Sequence, residues 1–143
     1  MKPPRYAASN FQKILPFITA ADGHDGHVRL ESSGFMPLSI ENLEMTDHNG
    51  NPVYSMAHYG EQNGDAMADP DMEFSVDFKN GIVIPLTFQN DYMGCFQQVF
   101  TVTDEGKTKY FPRLLTDLDD FLRIWLKNIE AQGFNPIPTE NAE

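Results

Sequence analysis

The sequence predicts an α+β fold: about five antiparallel strands in a curved sheet packed against a C-terminal amphipathic helix, with a short N-terminal helix. Three observations carry that prediction. Met72, Phe74, Val76 and Phe78 alternate with Asp71, Glu73, Ser75 and Asp77, and after Asn80-Gly81 the alternation resumes with Ile82, Ile84, Leu86 and Phe88. A period of two places each apolar set on one face of a sheet, and Asn-Gly is a strong hairpin signal. Near the C-terminus, Leu118, Phe121, Leu122, Trp125, Leu126 and Ile129 instead recur at helical spacing and supply the stripe that covers that face.

The elements follow in order. Phe11, Ile14, Leu15 and Ile18 predict a helix over 9–18, with Ser9 or Asn10 as its N-cap and Pro16 limiting, kinking or ending it. Asp22-Gly23-His24-Asp25-Gly26-His27 reads as a loop, and residues 28–32 and 35–45 read as extended. Asn49-Gly50 predicts a type I′ hairpin, since that turn requires positive φ at both central residues. Beyond the 71–88 hairpin, Phe96, Gln98, Phe100 and Val102 form a further alternating run that Asp104-Glu105-Gly106 ends. For the last helix, Thr116 is the natural N-cap and Asp117, Asp119 and Asp120 suit the positive end of its dipole. Gly133 suits the position just past its end, with Phe134 closing a Schellman stop.

With 143 residues, 41% hydrophobic and 12% aromatic, the chain buries roughly two-thirds of its unfolded surface around one core, which argues against disorder. A single domain over 1–135 and a tail over 136–143 are expected. The lone Cys95 has no internal disulfide partner. No stretch approaches the roughly 18–20 apolar residues of a membrane span, and residues 1–6 lack a secretory apolar run, so a cytoplasmic protein is expected.

The net charge is −11, and its distribution is informative. Between Leu30 and Phe78 stand Glu31, Glu41, Glu44, Asp47, Glu61, Asp65, Asp69, Asp71, Glu73 and Asp77, without a single Lys or Arg. The remaining residues sum to −1, because all 10 bases and the other 11 acids lie there. Such a block disfavours direct nucleic-acid and anionic-membrane binding and suits a basic protein surface. Its densest part, residues 58–73, reads as a loop of nearly ten residues between two strands, longer than a hairpin requires. Consecutive turns at Asn63-Gly64-Asp65 and Asp69-Pro70-Asp71 explain the composition equally simply, as does a solvated face.

The expected contact residues are Tyr59, Glu61, Asp65, Met67, Asp69, Asp71, Glu73 and Asp77, with Tyr59 or Met67 as the apolar anchor. No cofactor is expected. Asn63, Asp65, Asp69, Asp71 and Glu73 offer oxygen ligands but not at EF-hand spacing, so no metal is assigned. His24, His27, His48 and His58 never form the i, i+4 pair of a zincin. The alternative is a small metal-dependent or acid–base enzyme in which His58, Asp65 and Asp91 converge. Phosphate-loop and Gly-x-Ser-x-Gly patterns are absent from the sequence.

The run from His58 to Asp65 with Asp69-Pro70-Asp71-Met72-Glu73-Phe74, then Asn90-Asp91-Tyr92-Met93-Gly94, resembles an uncharacterised family of small phage- and plasmid-borne proteins defined only as a domain of unknown function. The resemblance spans about Phe11 to Phe134 and implies a mobile-element setting, with no catalytic residues to transfer. By class analogy, small acidic proteins of mobile elements include inhibitors that occupy the nucleic-acid sites of restriction nucleases and CRISPR complexes. A host nuclease or CRISPR complex is therefore one expected form of the basic partner; the oligomeric state is left open.

Overall fold

In a computed structural model that describes residues 1–136, the chain runs α1 (Ala7–Asp22), β1 (His27–Leu30), β2 (Leu38–Thr46), β3 (Pro52–Gln62), β4 (Asp65–Asp77) and β5 (Ile82–Asn90). A 3₁₀ turn (Asp91–Met93) leads to β6 (Cys95–Gln98), β7 (Phe100–Val102), β8 (Thr108–Tyr110) and α2 (Pro112–Ala131). Strands β1 to β6 form one antiparallel sheet in chain order, and β7 and β8 form a second, two-stranded sheet. The fold is α+β as expected, with six strands in its main sheet. Residues 137–143, which make up all but the first residue of the expected tail, lie outside the described residues.

Both helices pack on one face of the main sheet and against each other. The inward side chains of β2 to β5, including Leu38, Ile40, Met56, Met72, Phe74, Val76 and Val83, are completely buried there with Ile14, Leu122 and Ile129 from the helices. At ~25 cal/mol per Å² of apolar area, a buried side chain of this size is worth about 1.5–3 kcal/mol, so this layer dominates the stability.

Helix α1 is longer than its local signals suggest. It begins at Ala7 after Tyr6 and continues through Pro16 to Asp22. Pro16 removes one backbone hydrogen bond, but Phe11, Ile14, Phe17, Ile18 and Ala21 are buried on both sides of it, so tertiary packing overrides the break. Neither Ser9 nor Asn10 caps it. Asp119 of α2 does so from 113 residues away: its Oδ2 accepts the Tyr6 N–H at 2.8 Å, and the Asn10 amide donates to its main-chain carbonyl at 3.2 Å.

Asp119 therefore complements the positive end of α1, not of its own helix, which starts at Pro112 with Phe111 as N-cap. Thr116 lies inside that helix and donates to the Pro112 carbonyl at 3.0 Å. The C-terminal end follows the expected Schellman pattern, with Gly133 at φ +84° and bonds from Gly133 N–H to Glu130 O and from Phe134 N–H to Ile129 O.

The turns redistribute the Asn-Gly signals. At Asn49-Gly50 only Gly50 has positive φ, and the Gly50 N–H bonds the Asp47 carbonyl at 3.0 Å. This is a type I turn with a glycine bulge rather than type I′, and Asp47 Oδ1 fixes it by accepting from Asn49 and Asn51 N–H. The type I′ geometry occurs instead at Asn63-Gly64, where φ is +55° and +86°. The expected 58–73 loop is consequently no loop. It is a long β3–β4 hairpin with a two-residue turn, interrupted by a register shift between Ala57 and Tyr59 opposite the cis Asp69-Pro70 bond. The run 96–102 also divides: Gln98 ends β6, the buried Val99 bonds Leu86 O, and the chain continues in the small sheet as β7.

Candidate functional site

The register across the main sheet aligns two outward rows. One reads Arg29, Ser39, Ala57, Asp71, Gln89 and Phe96 from β1 to β6; the other reads His27, Glu41, Ser55, Glu73, Thr87 and Gln98. Ser39, Ser55 and Ala57 form a floor of small side chains, flanked by Glu41 on β2 and by Asp71 and Glu73 on β4. With strands ~4.8 Å apart, Glu41 and Glu73 stand about 9.6 Å apart at their backbones across Ser55, and Asp71 and Glu73 about 6.7 Å apart along β4.

These groups share one uncompensated field. Burial raises the Asp71 carboxyl above the usual carboxylate range, the hydrogen bond from Tyr59 opposes that, and Asp91 and Glu41 raise it further. Glu73 is raised by burial and then by Asp71. The Tyr59 hydroxyl donates to Asp71 Oδ2 at 2.7 Å, and burial, this bond and the charges of Asp71, Asp91 and Glu41 all push its pKa up. Every charge acting on the three is a carboxylate. Asp71 Oδ1 is buried without a hydrogen-bond partner, and Glu41 and Glu73 accept none through their side chains among the described residues.

The eight expected contact residues do not form one cluster. Tyr59, Asp71 and Glu73 belong to the outward face. Glu61 and Asp65 stand exposed at the tip of the β3–β4 hairpin, with Met67 beside Gly60 just behind it. Asp69 accepts from the Asn90 amide at 3.0 Å. Asp77, at the far end of the 13-residue β4, is engaged by its own turn through the backbone N–H and side-chain amide of Asn80, which lower its pKa. The expected site list lacks Glu41 and the 61%-exposed Phe96. Alternation of Ser39 and Glu41 with Leu38 and Ile40 marks Glu41 as outward; Phe96 carries no signal separating an exposed aromatic from a core one.

His58 points the other way. Its ring packs between Trp125 and Phe134, with centroids 5.7 and 5.6 Å away, and Nδ1 lies 3.1 and 3.2 Å from the Met36 and Pro37 carbonyls. Two acceptors at Nδ1 place the proton there. The adjoining cavity of about 230 Å³ is lined by Phe35, Met36, Asp69, Trp125 and Asn128 among others, and brings His58 together with Asp69 rather than with Asp65 or Asp91. The Asp91 carboxylate accepts instead from Ala68 N–H at 2.8 Å and the Gln89 amide at 2.7 Å, bonds that lower its pKa. No group of three or more His, Cys, Asp or Glu among the described residues has the geometry of a metal site. None of the described helices is long and apolar enough to cross a membrane.

The family model of a domain of unknown function, DUF6908, matches residues 9–135, and the chain belongs to that family. No curated protein and no solved structure matches it.

Proposed function

We propose that this family member is a non-enzymatic accessory protein that binds a basic protein surface through the outward face of its sheet. The observation that carries the reading is the trio Glu41, Asp71 and Glu73 over the Ser39, Ser55 and Ala57 floor, with no cation acting on Asp71 or Glu73. Half-buried carboxylates with unused acceptor capacity, Glu73 entirely and Asp71 through Oδ1, are costly alone and gain most from charge-assisted bonds to an incoming Arg or Lys. The half-buried Ser39 and Ser55 of the floor admit such side chains close to the backbone. Tyr59 and Phe96 border the face and supply the apolar contact that desolvates those bonds.

A surface that otherwise holds phosphates is the matching partner. The setting proposed is a mobile genetic element, and the partner class a host nucleic-acid-targeting defence complex. Affinity capture from the native host, with the captured proteins identified, tests this directly. Replacing Glu41, Asp71 and Glu73 with Lys is expected to abolish capture, and raising salt to weaken capture by the unaltered chain. Unchanged capture by the triple variant overturns the reading.

A further inference from the structure

The small sheet stands beside the outward face and closes one side of a slot of about 260 Å³. Its lining includes Asp47, His48, Glu73, Leu86, Phe100 and Val102. We infer that this slot receives an arginine side chain of the basic partner, an inference that rests on the reading of the outward face as a partner-binding surface.

The slot is amphipathic, and its two parts match the two parts of arginine. One wall is aromatic: the Phe100 ring lies 4.8 Å from His48 and 6.1 Å from Tyr110, centroid to centroid. Leu86 and Val102 add aliphatic surface for a three-carbon stem. The polar part is acidic. The Glu73 carboxylate is half-buried and accepts no hydrogen bond from a described residue, although its own N–H is satisfied by Thr87 Oγ1 at 3.3 Å. Asp47 uses Oδ1 for its turn, leaving Oδ2 without a partner among the described residues.

Size and chemistry narrow the occupant. A dry cavity of ~150 Å³ accommodates benzene, so the slot has room for a guanidinium and its stem. Anions meet two carboxylates. A purely apolar group leaves Glu73 buried and unpaired. Among cations, a guanidinium stacks flat on an aromatic face while giving a carboxylate two parallel hydrogen bonds, whereas an ammonium is a more strongly hydrated point charge.

The test titrates the full chain with a tetra-arginine and a tetra-lysine peptide, followed by amide chemical shifts. Tetra-arginine is expected to shift Thr87, Gln98, Thr101 and Val102 and to bind about tenfold more tightly than tetra-lysine, corresponding to about 1.4 kcal/mol. Phe100→Leu is expected to erase that preference, and Glu73→Gln to weaken both peptides while leaving the amide spectrum folded. Shifts absent from these amides, or an arginine preference that survives both substitutions, overturn the slot. If peptide binding maps only to Ser39, Ala57 and Asp71, the slot fails and the acidic-face reading stands. If tetra-arginine occupies the slot yet a chain carrying Glu41→Lys and Asp71→Lys, which leaves Glu73 in place, still captures the partner, the slot stands and that reading fails. Absence of peptide binding anywhere overturns the slot.

Discussion

Along β4, Met72, Phe74 and Val76 are completely buried against the helices, while Asp71 and Glu73 face outward from the same strand with no basic side chain to balance them. Neighbouring residues thus belong to opposite regimes. The inner set stabilises the fold by removing apolar area from water; the outer pair carries desolvated charge that opposes folding. Because side chains alternate across the sheet, each set can change with little disturbance of the other. Desolvated charge tolerated at this part of the outward face is expected of a surface kept for contact.

The comparison breaks most sharply at Phe74. Its replacement by Ala empties a site with no solvent exposure and is expected to cost about 3–5 kcal/mol in a denaturant titration, whereas the outward charge reversals leave the unfolding transition cooperative. A smaller loss is expected at Asp77, whose carboxylate holds the β4–β5 turn. Asp77→Ala should cost about 0.5–1 kcal/mol at neutral pH. Since that pKa is lowered by folding, the contribution is present above the ordinary Asp value and disappears on acidification through the folded one, so the variant and the unaltered chain should converge at low pH.

The smallest effect has the opposite sign. Asp71 and Glu73 have raised pKa values in the folded chain, so the folded state binds protons more readily, and their contribution grows less favourable as pH rises from the ordinary carboxylate range. Asp71→Asn combined with Glu73→Gln is expected to raise the melting temperature at pH 7. The gain should vanish below about pH 4, near the unperturbed carboxylate values. A melting temperature that falls at pH 7 would show that the outward carboxylates support the fold instead of burdening it.

The parts legible in the sequence were those whose periodicity records burial. Met72 to Val76 and Leu118 to Ile129 alternate or recur because one side of the element meets the core. The alternation of Ile82, Ile84, Leu86 and Phe88 does not hold as one face: a register shift at Glu73/Phe74 sets Val83 and Phe88 beside Val76 and Met72 and turns Ile84, beside Ser75, to the other side. Residues 61–66 are all exposed, so the tip of the β3–β4 hairpin leaves no apolar pattern, and only Asn63-Gly64 marks its turn. Strands β7 and β8 have three residues each, too few for a period to register. The cap on α1 comes from Asp119, a contact that no local spacing encodes. At the candidate face, the charge block was visible as composition. The sorting of its members into outward trio, hairpin tip and turn anchors depends on register, which is set by pairings between strands.

The two outermost strands of the main sheet, β1 and β6, have only four residues each, while β2 to β5 have 9 to 13. Beyond Val99 the chain leaves the sheet altogether. A strand added to either outermost strand therefore finds a template of only four residues, and Arg29 within β1 further discourages a second copy from zipping on. Short margins of this kind protect a long, exposed hairpin sheet from amyloid-like stacking. They also leave side chains on the flat of the sheet, rather than main-chain hydrogen bonds at its rim, as the means of recognition.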